Sequence, residues 1–353
     1  MNLRGTRLVA SLSISLLLSA ILFSQDRNSG AVAPGASANT SSPRASLLVV
    51  NQAEHAVVTV DPSSKKETAR FVVGINGHEA AVAPGGRYAY VPIYGSSGVG
   101  MPGTDGSTID ILNLESRKVS GSIDLGKPVR PHGAMFGPDG LLYVTAELAD
   151  AIYIVDVNQK KKVGEIPTGQ AESHMMTMSR DGKSAYTANV GAGSVSVLDV
   201  EKRKLAAVIP VSNRVQRISI SSDGKWVFTQ DQTSPQLVVI DTATNTIARR
   251  VPLPEIARAS AVTPDGNWVL VISIDAVAKV SHLRVLNSGL SQVVKSFDLP
   301  EGAMEIVIPP DGAKAYISCV QAGKIAVVDL TSWRVEDQIV LTPGGDGMAW
   351  AQD

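Results

Sequence analysis

The sequence predicts an all-β fold, a seven-bladed β-propeller closed by N- and C-terminal strands that share one blade. A tight turn of the Pro-Asp-Gly type recurs at intervals of 54, 42, 42, 42 and 46 residues, with its last glycine at Gly86, Gly140, Gly182, Gly224, Gly266 and Gly312. An Asp or Asn closes the third strand of each repeat, at Asp61, Asn113, Asp156, Asp199, Asp241, Asn287 and Asp329. A fixed period of this length in an all-strand pattern is typical of propellers, because a single four-stranded blade cannot bury its faces alone.

Composition narrows the class of protein. The chain has 353 residues, of which 44% are hydrophobic, and its formal net charge is −1. Nothing global therefore favours nucleic acid or an anionic membrane as a partner. Cys319 is the single cysteine, which excludes an intrachain disulfide and a zinc site built from cysteines.

The first 45 residues read as export and linker sequence. Arg4 and Arg7 precede an apolar run over residues 8–23, which is short for a membrane-spanning helix and fits a signal peptide over residues 1–24. An uncleaved anchor is the alternative. Residues 25–45 are rich in Ser, Ala, Gly, Pro and Asn and predict a flexible linker. We therefore expect a periplasmic, secreted or cell-surface protein without a transmembrane domain after cleavage.

Residues 46–353 are expected to form one propeller domain. The first repeat, which begins at Ser46, lacks its first strand, and the missing strand is found at the other end, where residues 347–353 align with residues 132–139. The chain ends would therefore complete one blade together and close the ring. An aromatic residue recurs on the second strand, where it is expected to pack between blades, at Tyr90, Tyr143, Tyr186, Phe228 and Tyr316.

The repeat resembles the YVTN family of β-propeller repeats. The resemblance rests on Pro-His followed by Pro-Asp-Gly and then Tyr-Val-Thr-Ala at residues 143–146, with variants at 90–93, 186–189 and 316–319. It covers residues 46–353 and implies an exported bacterial or archaeal propeller without a single shared activity. More distantly, the repeat is similar to that of lactonase-like seven-bladed propellers, but no catalytic residue carries over from them.

The residues that open the seven first strands are expected to converge at one mouth of the central channel. They follow the same spacing as the turns and are His78, His132, His174, Gln216, Arg258, Met304 and Asp346. His55 and His282 are expected on loops of the same face. That face should also carry the longest loops, an insertion over residues 95–107 in blade two and a smaller one over residues 275–282 in blade six.

Three interpretations of this mouth compete. The histidines could be scaffold residues that hydrogen-bond to neighbouring loops. They could instead be metal ligands, with His78, His132 and His174 holding a copper or zinc ion, the only cofactor that the sequence suggests. In the third interpretation the mouth is an enzyme site with a histidine base, Arg258 holding an anionic substrate and Asp346 or Glu172 as carboxylate partner.

The sequence favours a binding function at this mouth. We expect the propeller to bind a protein partner or a small ligand on its loop-rich face, through His78, His132, His174, Gln216, Arg258 and Asp346. A lactonase-like hydrolase or lyase that uses the histidine and arginine cluster is the alternative, as is a metal-binding propeller. Whether the protein is an enzyme stays open at this stage.

Overall fold

A computed structural model describes residues 45–99 and 101–352, in which 29 β-strands form seven antiparallel sheets. Blade one begins with β1 (Ser46–Asn51), β2 (Ala56–Asp61) and β3 (Lys66–Val72). Blade two contains β4 (Ala81–Val82), β5 (Tyr88–Gly95), β6 (Asp105–Asn113) and β7 (Lys118–Asp124). Blade three contains β8 (Pro131–Phe136), β9 (Leu142–Ala146), β10 (Ala151–Asp156) and β11 (Lys161–Pro167), with a short 3-10 helix at Glu147–Ala149.

The remaining blades repeat the same order. Blade four contains β12 (Ser173–Met178), β13 (Ser184–Asn189), β14 (Ser194–Asp199) and β15 (Lys204–Pro210). Blade five contains β16 (Val215–Ile220), β17 (Trp226–Asp231), β18 (Gln236–Asp241) and β19 (Thr246–Pro252). Blade six contains β20 (Ile256–Val262), β21 (Trp268–Asp275), β22 (Val280–Asn287) and β23 (Val293–Leu299). Blade seven contains β24 (Ala303–Val307), β25 (Lys314–Cys319), β26 (Lys324–Asp329), β27 (Arg334–Val335) and β28 (Ile339–Val340), and β29 (Gly345–Ala351) returns to blade one.

The ring closes in blade one, as the sequence predicts. The last strand, β29, pairs with β1, with Met348 opposite Val49 and Trp350 opposite Leu47. Strand β1 pairs on its other side with β2, so β29 is the innermost strand of this sheet. The two ends of the propeller are thereby joined by backbone hydrogen bonds, which removes two open sheet edges.

The core lies between the blades. The buried side chains of the described residues form seven apolar clusters, each made by two neighbouring blades. The recurrent aromatic residues of the second strands lie in these clusters, as expected: Tyr90 packs with blade-three residues and its ring lies 5.5 Å from that of Phe136. Tyr143 packs in the same way against blade four. The packing between blades fixes the positions of the inner strands and so shapes the channel.

The two predicted loop insertions differ in the structure. In blade two, a loop joins β5 to β6, and its Met101 carbonyl accepts from Arg130 at 3.2 Å. In blade six the extra residues lengthen β21 and β22 instead, because the pairing continues to Asp275 opposite Val280. His282 therefore lies on a strand, 3.0 Å from Asp298, and not on a loop as expected. His55 does lie in a turn, between β1 and β2.

The expected signal peptide (residues 1–24) and nearly all of the expected linker (residues 25–44) lie outside the described residues. Within residues 45–99 and 101–352, the structure has no helix with the length and apolar character needed to cross a membrane.

Candidate functional site at the channel mouth

The three histidines at the mouth form a stack of imidazole rings. The ring centroids of His78 and His132 are 4.7 Å apart, and those of His132 and His174 are 3.7 Å apart. Each ring comes from the start of the first strand of a different blade, in blades two, three and four. The sequence placed them one blade apart and left the distance between them open. Their side chains close that distance by pointing toward the channel axis.

A second set of residues, at the ends of the second strands, forms hydrogen bonds with the mouth residues. Gln52, Tyr94, Glu147 and Gln232 each lie four residues after the equivalent position of their second strand, which is Leu48, Tyr90, Tyr143 and Phe228. The Tyr94 hydroxyl donates to Glu147 Oε2 at 2.6 Å, and the other oxygen of Glu147 contacts His174 Nδ1.

Hydrogen bonds to this second set settle which nitrogen of His174 carries the proton. The Glu147 carboxylate can only accept, so His174 carries its hydrogen on Nδ1 and donates it to Glu147. The Nε2 of His174 then accepts from the Gln216 amide at 3.1 Å. Gln232 in turn donates to Gln216 at 2.9 Å. Our sequence reasoning missed Tyr94 and Glu147, although their spacing repeats that of the strand-two tyrosines.

His132 differs from its neighbours because neither ring nitrogen has a hydrogen-bond partner. The residue is 1% exposed, between the rings of His78 and His174, and the ring of Tyr94 lies at 5.5 Å. Burial lowers the pKa of His132 well below its usual value, and the nearby His174 and His78 lower it further. Burial also lowers the pKa of His78 to about 4. Both rings are therefore neutral at pH 7.

The stacked arrangement does not resemble a metal centre. The ring of His132 is tilted by 48° to that of His78 and by 34° to that of His174, and the Nδ1 atoms of His78 and His174 are engaged by Gln52 and Glu147. No group of three His, Cys, Asp or Glu residues within 45–99 and 101–352 is placed to hold a metal ion. Direct ligation by His78, His132 and His174 therefore gains no support from the geometry.

Next to His78, whose Nδ1 lies 3.9 Å from Asp346, one guanidinium meets three carboxylates. Arg217 extends from β16 of blade five, and its Nη2 lies 3.1 Å from Asp346 Oδ1 of blade one. Its Nη1 lies 3.5 Å from Glu79 of blade two and 3.7 Å from Glu305 of blade seven. We call Arg217, Glu79, Glu305 and Asp346 the channel clamp, because they join four blades across the axis.

Electrostatics in the channel clamp favour a protonated acid. Burial raises the pKa of Glu79 well above its usual value, and the nearby Glu305 carboxyl raises it further. The pKa of Glu305 is also raised, again mainly by burial. Burial opposes the charge on Arg217, but the pKa of this group is raised by Glu79, Glu305 and Asp346. Arg217 therefore stays charged, and the raised pKa values of Glu79 and Glu305 favour protonation of this pair.

The other side of the mouth carries unpaired positive charge. Arg258 lies at the start of β20, and its buried Nε has no hydrogen-bond partner. Burial lowers the pKa of Arg258, and the neighbouring charges of Arg214 and Arg217 lower it further. No carboxylate of the described residues lies within 4.0 Å of the Arg258 or Arg214 guanidinium. Asp346, by contrast, is engaged by Arg217 and by Gln52 at 2.5 Å.

The structure thus brings together most of the residues that the sequence placed at the mouth. Gln52 Nε2 lies 2.9 Å from His78 Nδ1, which links blade one to the histidine stack. Met304 also lies near the start of its first strand, on β24. A cavity of about 550 Å³ lies elsewhere, between blades one and two, and is lined by residues of the hairpin turns that include Asp61, Arg87 and Arg117. These turns open on the face opposite the mouth.

Comparison with known proteins supports the propeller fold. The sequence family described as cytochrome D1 heme domain matches residues 136–272, which is less than half of the chain. No curated protein matches the chain. The matching family differs from the YVTN resemblance, and both describe propellers.

Three solved structures share the fold. A functionally unknown protein from Desulfotomaculum acetoxidans has a TM-score of 0.72 at 17% identity, covering 87% of this chain and 98% of that one. Hydrazine synthase of Kuenenia stuttgartiensis has a TM-score of 0.63 at 18% identity, covering 77% and 88%. Dihydro-heme d1 dehydrogenase NirN in complex with DHE has a TM-score of 0.61 at 14% identity, covering 86% and 74%. At these identities the structures show the fold alone.

Proposed function

We propose that this propeller is an exported binding protein that takes a small anionic ligand at its channel mouth. The observation that carries the proposal is the unpaired guanidinium of Arg258, which lies at the start of β20 and within electrostatic range of Arg214. The signal peptide that the sequence predicts over residues 1–24 supports the location. The other expected interaction, with a protein partner, would use the same face.

The charge arrangement explains why the ligand would be an anion. A partly buried guanidinium without a carboxylate is costly, because desolvation is not offset by an ion pair. The nearest acids cannot serve, since Asp346, Glu79 and Glu305 contact Arg217 and Glu147 contacts His174. A carboxylate from outside would form two parallel hydrogen bonds with Arg258, and such charge-assisted pairs are strong. Gln216 and the exposed Arg214 lie close enough in the ring to contact the rest of the ligand.

A tetrapyrrole is one ligand of this class, and the mouth fits only part of it. Its carboxylates would find Arg258 and Arg214. Its iron would not find an open ligand, because both nitrogens of His174 are hydrogen-bonded and those of His132 are buried beneath neighbouring rings. The Nε2 of His78 is buried as well. The residues present therefore support binding through carboxylates and do not support iron ligation.

Calorimetric titration with three probes tests the proposal. The probes are succinate, ethane-1,2-disulfonate and iron-free protoporphyrin, each added to the wild type and to Arg258→Gln. We expect at least one probe to bind, with affinity at least tenfold weaker in Arg258→Gln, because a charged hydrogen-bonded pair contributes about 1.5–3 kcal/mol. Arg180→Gln, an exposed change in a turn of the opposite face, is the matched control and should bind as the wild type does. Failure of all three probes would refute small-anion binding and favour a protein partner.

A second candidate, a hydrolase or lyase, is favoured by the pair formed by Glu147 and His174. A carboxylate that orients a histidine through Nδ1, with Nε2 directed toward the mouth, is the arrangement of a general base. In this structure Gln216 occupies that nitrogen, and His174 is 2% exposed. A substrate would therefore have to displace the Gln216 amide. A screen of lactones and esters separates the candidates: turnover that His174→Gln abolishes would establish the enzyme, and binding without turnover would support the binding protein.

A further inference from the structure

The channel clamp lies within electrostatic range of the proposed anion site, since the charge of Arg217 acts on Arg258, and it holds more acid than base. Three carboxylates face one guanidinium, so full ionisation would leave an excess of two negative charges among buried groups. Such an excess is unfavourable in a low-dielectric interior, and the usual response is that a carboxyl keeps its proton. Oε1 of Glu79 also lacks a hydrogen-bond partner, which leaves room in the pair for the hydrogen of a protonated Glu305 or Glu79.

The charged and titratable groups that face this carboxyl pair come from every neighbouring blade. Arg217 of β16 contacts the pair directly, Asp346 of β29 contacts Arg217 and acts on both glutamates electrostatically, and His78 precedes Glu79 in the chain. His132 of β8 and Arg258 of β20 both lie within electrostatic range of Arg217. Of these groups, the arginines stay charged. Both His78 and His132 stay neutral at pH 7, since burial lowers the pKa of His78 to about 4 and that of His132 well below its usual value.

The Glu79–Glu305 pair is therefore a buried group next to the mouth that can take up or release a proton. Resting on the proposed function, we propose that an anion bound at Arg258 is taken up together with a proton that enters the Glu79–Glu305 pair. The channel clamp then regulates the affinity of the mouth for its ligand.

The direction follows from linkage. An anion nearby makes deprotonation of the two glutamates less favourable, so the bound state holds more protons than the free state. Reciprocally, protonation of the pair strengthens anion binding, and affinity falls as pH rises. Uptake of one proton corresponds to a change of up to about tenfold in affinity per pH unit. Protonation of His78 would instead strengthen binding only in acid, near pH 4.

The test uses ethane-1,2-disulfonate, because sulfonates keep their charge between pH 5.5 and 8.5 and any pH dependence then belongs to the protein. Affinity is measured by calorimetry across that range for the full mature protein and for Glu79→Gln, Glu305→Gln, His78→Gln and Glu301→Gln. Glu301 is exposed in the loop before β24 and serves as the matched control. In Glu79→Gln and Glu305→Gln we expect the change in affinity per pH unit to be at least threefold smaller than in the wild type. In His78→Gln and Glu301→Gln we expect the wild-type pH dependence.

Several outcomes overturn the proposal. If the pH dependence of the affinity persists in Glu79→Gln and Glu305→Gln, or disappears in His78→Gln, the proton is taken up at another group. If the variants do not fold, wild-type titrations in two buffers of different ionisation enthalpy decide the matter: uptake of about one proton supports the coupling, and no uptake refutes it. Binding without pH dependence leaves the proposed function standing and removes the regulation. If the disulfonate fails to bind while succinate or protoporphyrin binds, the two-buffer titration is made with that probe. If no probe binds, the proposed function and the coupling both fail.

Discussion

Replacing Arg217 with methionine should destabilise the propeller strongly, and by an amount that depends on pH. Arg217→Met keeps most of the side-chain volume and removes the one charge that balances Glu79, Glu305 and Asp346. Breaking a buried ion pair from one side costs about 3–5 kcal/mol, because the remaining charge stays buried without a partner. At pH 8 we expect a loss of this size in the free energy of unfolding, which is at least about a hundredfold in the ratio of folded to unfolded protein.

The loss should be smaller at pH 5, because protons can neutralise the carboxylates in place of Arg217. Urea unfolding followed by tryptophan fluorescence at both pH values measures it, with Arg180→Met as the exposed control, expected within about 0.5 kcal/mol of the wild type. Equal losses for the two variants, or a loss for Arg217→Met that does not change between pH 8 and pH 5, would refute the account of the channel clamp.

Three further predictions concern the ring and the mouth. Removing residues 347–353 should lower the melting temperature far more than deleting residues 25–45, since it strips blade one of its inner strand; equal melting temperatures would contradict the shared blade. Tyr94→Phe should cost about 1–3 kcal/mol, measured by urea unfolding, because Glu147 loses a buried hydrogen bond; a change below about 0.5 kcal/mol would contradict this. The pKa of His132 is lowered in the folded protein, so below about pH 6.5 the unfolded chain takes up a proton at this residue that the folded protein does not, and the free energy of unfolding decreases. His132→Phe should remove this decrease, and an unchanged dependence of stability on acid pH would contradict the prediction.

Periodicity predicted the parts of the structure that repeat. The turn glycines and the aromatic residues of the second strands recur because every blade makes the same hairpin and the same contact with its neighbour. Ring closure followed from the same pattern, since the first repeat lacked a strand that the residues around Met348 supply. For the same reason the residues opening the first strands could be placed at one mouth without any structural information.

Contacts between different blades were harder to foresee. Arg217, Glu79 and Glu305 each follow a predicted mouth residue by one position, so their spacing was visible, but the sequence does not reveal which side chains of separate blades meet across an axis. Blade six shows a different limit. Its extra residues could form a longer loop or longer strands, and the outcome depended on whether Asp275 and Val280 continue the pairing.

A crystal structure of the protein soaked with ethane-1,2-disulfonate tests the central claim most directly. The account predicts one sulfonate group against the Arg258 guanidinium, within reach of Arg214 or Gln216, with the histidine stack undisturbed below it. A sulfonate bound instead in the cavity between blades one and two, or a mouth that stays free of the probe at a concentration that saturates binding in solution, would contradict it.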